Sequence, residues 1–295
     1  MNEIASPIQL RSKSNTNTSD SGDTPIISDC TRSSLADICL LLDIPGVGTT
    51  SDSVFLRRRV KAGCWIFSSG QKFDSVFIVY SGSIKTLLID EAGNEQILSF
   101  PLRGDLLGLD GLHARCHPSQ AVALTDCELI VIPFCDLMKL THEHLSIETW
   151  LYCAVSRALA HEHALMGVLS TLCSEGRVAR FLLLLSERFK KLGYSSTQFS
   201  LHMTRQEIGS YLGLSLETVS RALSALHDAQ FIDISRRSVV IKNLDGLRDL
   251  KKIPPTTPNH RQASSNTAAL HVIKSPHPTL VRRTQPTWFS LVTAQ

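Results

Sequence analysis

The pattern of hydrophobic and polar residues divides the chain into a strand-forming part and a helix-forming part. In the first part, short apolar runs at residues 75–80, 83–89 and 95–100 are separated by segments rich in Gly, Asn, Asp and Ser. Short strands at such regular intervals are typical of an antiparallel barrel or jelly roll. We therefore predict a β-roll sensor domain over residues 30–145.

From about residue 146 the apolar residues recur at the spacing of a helix, with no Gly or Pro before Gly167. The apolar stripe consists of Trp150, Cys153, Ala154, Arg157, Ala158, His161, Leu165, Val168, Leu169 and Leu172. A stripe of this length needs a partner surface, so residues 146–175 are predicted to form a dimerisation helix that pairs with a second copy of the chain. The alternative is a long helix that packs against the β domain of its own chain.

Residues 176–250 follow the element order of a winged helix-turn-helix domain. A helix at about 177–192 precedes two short helices that meet at Gly213, and a hairpin follows with Arg236 and Arg237 at its tip. The predicted fold class is therefore α+β, with an N-terminal β-roll or jelly roll, a long dimerisation helix and a C-terminal winged helix-turn-helix domain.

The second short helix, within residues 214–230, carries the side chains that indicate DNA reading. Its apolar stripe, predicted to face the preceding helix, consists of Leu214, Leu216, Val219, Leu223 and Leu226. Glu217, Thr218, Ser220 and Arg221 then lie on its other faces near the N-terminal half, which is the part of a recognition helix that reaches base edges. A guanidinium can pair with guanine O6 and N7, a carboxylate can accept from cytosine N4, and a hydroxyl serves several bases.

Further basic residues of this domain are expected to contact DNA phosphates. Thr204 begins the first short helix in a T-x-x-E capping box with Glu207, and Arg205 follows it. The expected phosphate contacts are Arg205, Arg236, Arg237 and Lys242. The alternative interpretation is an ordinary amphipathic helix pair whose polar face is solvated.

Charge is unevenly distributed along the chain, although its formal net value is only +3. Residues 177–250 hold eleven Lys and Arg against seven Asp and Glu, and residues 251–295 hold six basic residues and no acidic one. The N-terminal part is consequently acidic. This division is typical of a sensor joined to a nucleic-acid-binding domain.

The two ends and the missing motifs narrow the class of protein further. Residues 1–29 and 251–295 are rich in Ser, Thr, Asn or Pro, and this composition predicts a disordered leader and a disordered basic tail.

No apolar run reaches the length of a membrane span or a signal core, so we expect a cytoplasmic protein without a membrane partner. No nucleophile elbow, phosphate loop or H-E-x-x-H occurs, so an enzyme is not expected. The alternative function is a small-ligand or haem binding module with little direct role at DNA.

Three sequence segments resemble the CRP/FNR family of bacterial transcription regulators, and in particular its FNR branch. They are YSGSIKTLLIDEAGNEQILSFPLRGDLLG, GRVARFLLLLSERF and TRQEIGSYLGLSLETVSR, and the likeness runs from about Cys30 to Leu247. Within E-x-x-S-R, Glu217, Ser220 and Arg221 fall on the three base-reading positions of the family. The resemblance implies a cyclic-nucleotide-binding-like β domain, a homodimer, double-stranded DNA with a TTGAT…ATCAA palindrome, and RNA polymerase as a partner.

The resemblance also implies a polymerase contact in the segment 100–108, around Arg103, Gly104 and Asp105, for which an ordinary β turn is the alternative.

The resemblance also raises the question of whether the β domain binds cAMP. Family members that bind cAMP hold the phosphate with an Arg followed by a small hydroxyl residue. No Arg stands beside Ser119 here, so cAMP is not expected.

FNR-type sensors hold a [4Fe-4S] cluster with three cysteines spaced C-x2-C-x5-C and a fourth cysteine in the β domain. In this chain Cys30 and Cys39 stand on the outer two positions, Ser33 on the middle one and Ile130 on the fourth. One hypothesis is an iron-sulfur cluster held by Cys30, Cys39, Cys127 and an unusual fourth group. The other is a chain that has lost the cluster.

Overall fold

The computed structural model describes residues 31–45 and 53–250, and its first half is a roll of two antiparallel sheets. The strands are β1 (Arg32–Ser34), β2 (Val54–Val60), β3 (Trp65–Phe67), β4 (Ser75–Ser81), β5 (Ile84–Ile89), β6 (Glu95–Ser99), β7 (Leu106–Leu107), β8 (Gln120–Ala123) and β9 (Cys127–Pro133). One sheet has the order β1-β2-β9-β4-β7 and the other β3-β8-β5-β6. The predicted leader at 1–29 and tail at 251–295 lie outside the described residues.

Alternating side chains give the five-stranded sheet two different faces. On β9, Leu129 and Val131 point into the roll and pack with Phe67 and Phe77, whereas Ile130 points to the outer face. The outer face is covered by two helices, α1 (Leu35–Leu41) and α2 (Phe134–Glu143). The roll therefore has one apolar cluster between its sheets and a second between the large sheet and its helices.

Helix α3 (Leu145–Thr171) presents two apolar faces. Its inward face packs on the same chain, with Trp150 and Leu151 against the α1 side of the roll and Leu165 against the C-terminal domain. Two residues of the predicted dimer stripe, Trp150 and Leu165, thus pack within their own chain. The exposed face instead carries Leu145, Tyr152, Val155, Leu159 and Met166, whose exposed fractions range from 41% to 75%.

The C-terminal domain is a winged helix-turn-helix. Its elements are α4 (Ser174–Lys191), β10 (Gln198–Ser200), α5 (Arg205–Leu212), α6 (Leu216–Asp228), β11 (Ile232–Ser235), β12 (Ser238–Ile241) and α7 (Leu244–Asp249). The strands form a sheet of order β10-β12-β11, and β11 and β12 make the wing hairpin. The observed architecture confirms the predicted α+β class, with a sheet-rich N-terminal domain, helices and a C-terminal helix-turn-helix.

The roll and the C-terminal domain share one apolar cluster. Leu87, Ile97 and Phe100 of the roll are buried together with the core of α4, α5 and α6. Phe100 packs against Phe181 of α4 and Tyr211 of α5, with ring centroids 5.9 and 5.4 Å away. The separate domains predicted from the sequence are thus joined by a continuous core. The spacing of apolar residues within each helix or strand does not reveal this contact between the domains.

Candidate DNA-reading interface

The turn between α5 and α6 is fixed by caps at both helix starts and by a close backbone approach. The Thr204 hydroxyl accepts from the Glu207 N–H at 3.1 Å, and the Glu207 carboxylate accepts from the Thr204 N–H at 2.6 Å, so the predicted capping box is confirmed. Gly213 ends α5 with φ +62°, and a Cβ at Gly209 would lie 2.5 Å from the Leu214 carbonyl oxygen. These glycines let α6 begin directly beside α5.

Helix α6 buries one face and presents the other at its N-terminal half. Val219, Leu223 and Leu226 are buried against α4 and α5. Glu217 and Arg221 are exposed, while Thr218 and Ser220 are half-buried. An α-helix has 3.6 residues per turn, so residues 217, 218, 220 and 221 lie away from the face that carries the buried residues.

The chemistry of this face suits base edges. Hydrogen bonds from its own backbone and from Ser215 lower the pKa of the Glu217 carboxyl, so it is an anionic acceptor at neutral pH. The Arg221 guanidinium donates to the Thr218 hydroxyl at 3.3 Å and retains further N–H groups for a bidentate contact. A carboxylate and a guanidinium one turn apart can address the two bases of one G·C pair.

Leu216 departs from the predicted apolar stripe. It is 44% exposed, because it is the first residue of α6 and lies beyond the edge of α5. An exposed leucine beside Glu217 belongs to the presented face and not to the core. Apolar contact with a thymine methyl group is the DNA chemistry open to such a side chain.

The basic residues expected at phosphates gather beside the wing. Arg236 and Arg237 form the turn of the hairpin, with Arg236 at φ +54°. Together with Thr204 and Arg205 they line a cleft of about 210 Å³ between α5 and the wing. Lys242 stands apart from this group, since its ammonium lies 3.5 Å from the Asp233 carboxylate at the base of the hairpin. Three cations and the N-terminus of α5 thus border one cleft.

Comparison with known proteins agrees with this architecture. Residues 57–144 match the family model described as a cyclic nucleotide-binding domain, and residues 176–250 match the Crp-like helix-turn-helix domain. The transcriptional regulatory protein btr of Bordetella pertussis is 38% identical over 77% of this chain and 94% of its own length. The transcriptional activator protein anr of Pseudomonas aeruginosa is 37% identical over 72% of this chain and 88% of its own. The fumarate and nitrate reduction regulatory protein of Escherichia coli is 34% identical over 68% and 80%.

The chain belongs to the CRP/FNR family, on its FNR-like branch. Among solved CRP/FNR structures, FixK2 from Bradyrhizobium japonicum matches with a TM-score of 0.62 and 28% identity, over 68% of this chain and all of that chain. The resemblance inferred from the sequence is thereby confirmed. The family is one of transcription regulators, and the helix-turn-helix described above is its DNA-binding element.

Inside the roll of this CRP/FNR-family chain, the His117 imidazole occupies part of the space between the sheets. His117 is 2% exposed and stacks on Phe67 with ring centroids 4.1 Å apart. Cβ atoms at Gly108 and Gly111 would lie 3.1 and 3.0 Å from its ring, so these glycines make room for the imidazole. The Ser119 hydroxyl donates to the Asp110 carboxylate, which is an anion and offers a phosphate no counter-charge.

The residues at the FNR cluster positions do not fit a four-thiolate site. Cys30 lies outside the described residues. Ser33 is fully buried, and its hydroxyl accepts from the Arg57 guanidinium at 2.5 Å. Ile130 pairs with Arg57 across β2 and β9 and is also fully buried. Ser33 supplies a hydroxyl that is bonded to a guanidinium, and Ile130 supplies a buried alkyl side chain. Two of the four positions therefore carry no thiolate.

The alternative ligand Cys127 is placed on the wrong side of the sheet. It packs in the cluster inside the roll, whereas Cys39 packs with Ile130 in the cluster on the outer face. Its thiol donates to the carbonyl oxygens of Ser83 and Thr125 at 3.3 and 3.0 Å. Burial raises the pKa of both the Cys39 and the Cys127 thiol, which opposes thiolate formation. Cys39 and Cys127 therefore do not share a site.

The segment with Arg103 and Gly104 is a turn tied to the fold at Asp105, whose carboxylate accepts from the Arg188 guanidinium and from the Leu102 N–H.

Within residues 31–45 and 53–250, no group of three His, Cys, Asp or Glu side chains is arranged to hold a metal ion. Over the same residues, no helix has the length and apolarity of a membrane span.

Proposed function

We propose that this chain is a dimeric, sequence-specific DNA-binding transcription activator that reads a TTGAT…ATCAA palindrome. The observation that carries the proposal is the polar face at the start of α6, where Glu217, Ser220 and Arg221 stand clear of the core. A guanidinium and a carboxylate in this arrangement match the edges of the G·C pair in each half-site. Arg205, Arg236 and Arg237 would contact phosphates beside the groove.

The dimer would form through the exposed face of α3. Leu145, Tyr152, Leu159 and Met166 follow one another at intervals of seven residues, and Val155 lies between two of them. A heptad line of exposed apolar side chains is the pattern of a coiled-coil seam. Two chains joined here would carry two α6 helices related by a twofold axis, which is what a palindrome requires.

Activation of transcription would require a contact with RNA polymerase. Relatives such as anr are named transcriptional activators, and the exposed Arg103 turn is the segment we assign to that contact. Asp105 would act there by holding the turn through Arg188.

The direct test is binding of the purified chain to a labelled duplex with the palindrome, compared with the same duplex scrambled. Specific protein–DNA complexes exceed non-specific ones by about 10³-fold or more at physiological salt. We expect a ratio of about that size, measured by fluorescence anisotropy at fixed salt. Equal affinity for both duplexes would contradict sequence-specific reading.

We further propose that DNA binding needs no iron-sulfur cluster, because Ser33 and Ile130 supply no thiolates and Cys127 faces away from Cys39. The affinity for the palindrome should be the same for protein purified in air and for protein reconstituted anaerobically with iron and sulfide. Cys30→Ser should leave it unchanged as well. Visible charge-transfer absorption after reconstitution, together with tighter DNA binding that air abolishes, would contradict this prediction.

A further inference from the structure

Helix α5 is held by the β5–β6 hairpin of the roll, chiefly through Ser210. The Ser210 hydroxyl donates to the Glu95 carbonyl oxygen at 2.8 Å and accepts from the Ile97 N–H at 2.8 Å. The Ser210 carbonyl oxygen accepts from the Gln96 side-chain amide at 2.6 Å. One serine thus bonds to three consecutive residues of β6, which is the edge strand of its sheet.

An ion pair reinforces the same junction. The Lys85 ammonium of β5 lies 2.9 Å from the Glu207 carboxylate of α5, and their side chains are only 14% and 15% exposed. Burial acts to lower the pKa of Lys85, but the hydrogen bonds and charges of Glu207 and of Glu95, whose carboxylate lies 3.4 Å from the ammonium, together leave the pKa raised. Burial likewise acts to raise the pKa of Glu207, but hydrogen bonds from Lys85 and Thr204 leave it lowered. Both groups remain charged at neutral pH.

The other side of α5 is tied to helix α3. Tyr211 is hydrogen-bonded to His161 at 2.9 Å between hydroxyl and ring nitrogen. The Arg177 guanidinium donates to the carbonyl oxygens of Leu169 near the end of α3 and of Leu212 at the end of α5, at 2.7 and 3.2 Å. Helix α5 is therefore fixed between the hairpin and the helix that would form the dimer seam.

We infer that Lys85 and Ser210 are positioning residues for DNA reading. Helix α6 follows α5 directly through the Gly213 turn, so whatever orients α5 also orients α6. In a twofold dimer, the separation of the two reading helices sets the half-site spacing that the protein accepts. The hairpin contacts thus set spacing selectivity, while Glu217 and Arg221 set base selectivity. This inference rests on the proposed function.

The test uses the full chain with three duplexes: the palindrome, the palindrome with one base pair added between its halves, and a single half-site. The variants are Lys85→Met and Ser210→Ala, singly and together, with the exposed Lys191→Met as the matched control. Each variant removes a hydrogen bond or a partly buried ion pair from both chains of the dimer, so we expect it to lose about tenfold in affinity for the palindrome. Half-site affinity should stay at the wild-type value, so that discrimination against the altered spacing falls towards one.

Lys85→Arg, which keeps the ion pair with Glu207, should restore discrimination. Loss of affinity by the same factor on all three duplexes would mean that the substitutions merely lower the folded fraction, and would overturn the inference. Discrimination equal to that of wild type and Lys191→Met would overturn it too. Failure of the wild-type chain to prefer the palindrome over scrambled DNA would overturn the proposed function itself, and this inference with it.

Discussion

Arg221→Ala should abolish specific binding to the palindrome while leaving the fold intact. A bidentate contact between arginine and guanine is worth about 1–3 kcal/mol, and a dimer loses two of them. The expected cost of about 2–6 kcal/mol corresponds to a loss of roughly 30-fold to 25,000-fold in affinity. Arg221 is exposed, and among the described residues its guanidinium donates to Thr218 of its own helix, so the unfolding temperature should not change.

Arg248→Ala is the control for charge. Arg248 is an arginine of the same domain, placed on α7 and paired with Asp245 at 3.3 Å. Its removal lowers the positive charge equally but should leave the ratio of palindrome to scrambled DNA unchanged. Anisotropy titrations at one salt concentration give both values. If Arg221→Ala kept the wild-type ratio, α6 would not be the reading helix.

Leu159→Glu should split the dimer and with it the binding of the full palindrome. Leu159 is 56% exposed at the centre of the apolar line on α3, so the change is tolerated within one chain. In the dimer it replaces two buried leucines, each worth about 1.5–3 kcal/mol, by two carboxylates facing each other. The dimer dissociation constant should rise by at least about 100-fold.

Ala164→Glu introduces the same charge on α3 at an exposed position outside the line of Leu145, Tyr152, Leu159 and Met166. This variant should remain dimeric and bind the palindrome normally. Light scattering gives the mass of each variant in solution. A Leu159→Glu protein that stayed dimeric would show that the chains associate elsewhere.

The helices and strands were predictable from the sequence because each has its own spacing of apolar residues and its own capping or turn residues. The T-x-x-E spacing of Thr204 and Glu207 located the start of α5, and the Arg236–Arg237 pair located the wing turn. The faces of α3 were not predictable in the same way. Apolar residues occur on two of its sides. Only the packed structure distinguishes Trp150, which packs against the roll, from Tyr152, which is 65% exposed.

The sequence predicted which residues of the candidate site carry its chemistry, but not where the structure places the side chains around them. Glu217, Ser220 and Arg221 could be read from their spacing, whereas the exposure of Leu216 depends on where α5 ends. Cys127 was a plausible ligand on sequence distance alone. Strand alternation decides against it, because positions 127 and 130 of β9 are an odd number of residues apart and face opposite sides. The junction at Ser210 joins residues more than 100 positions apart and left no local signal.

The central claim is that two copies of α6 read two symmetric half-sites. It is tested most directly by replacing the G·C pair in one half of the palindrome, in the other half, and in both, and measuring wild-type affinity for each duplex. The predicted result is an equal loss of about 1–3 kcal/mol from either half and about twice that free energy from both. A loss from one half only, or no loss from either, would contradict the claim.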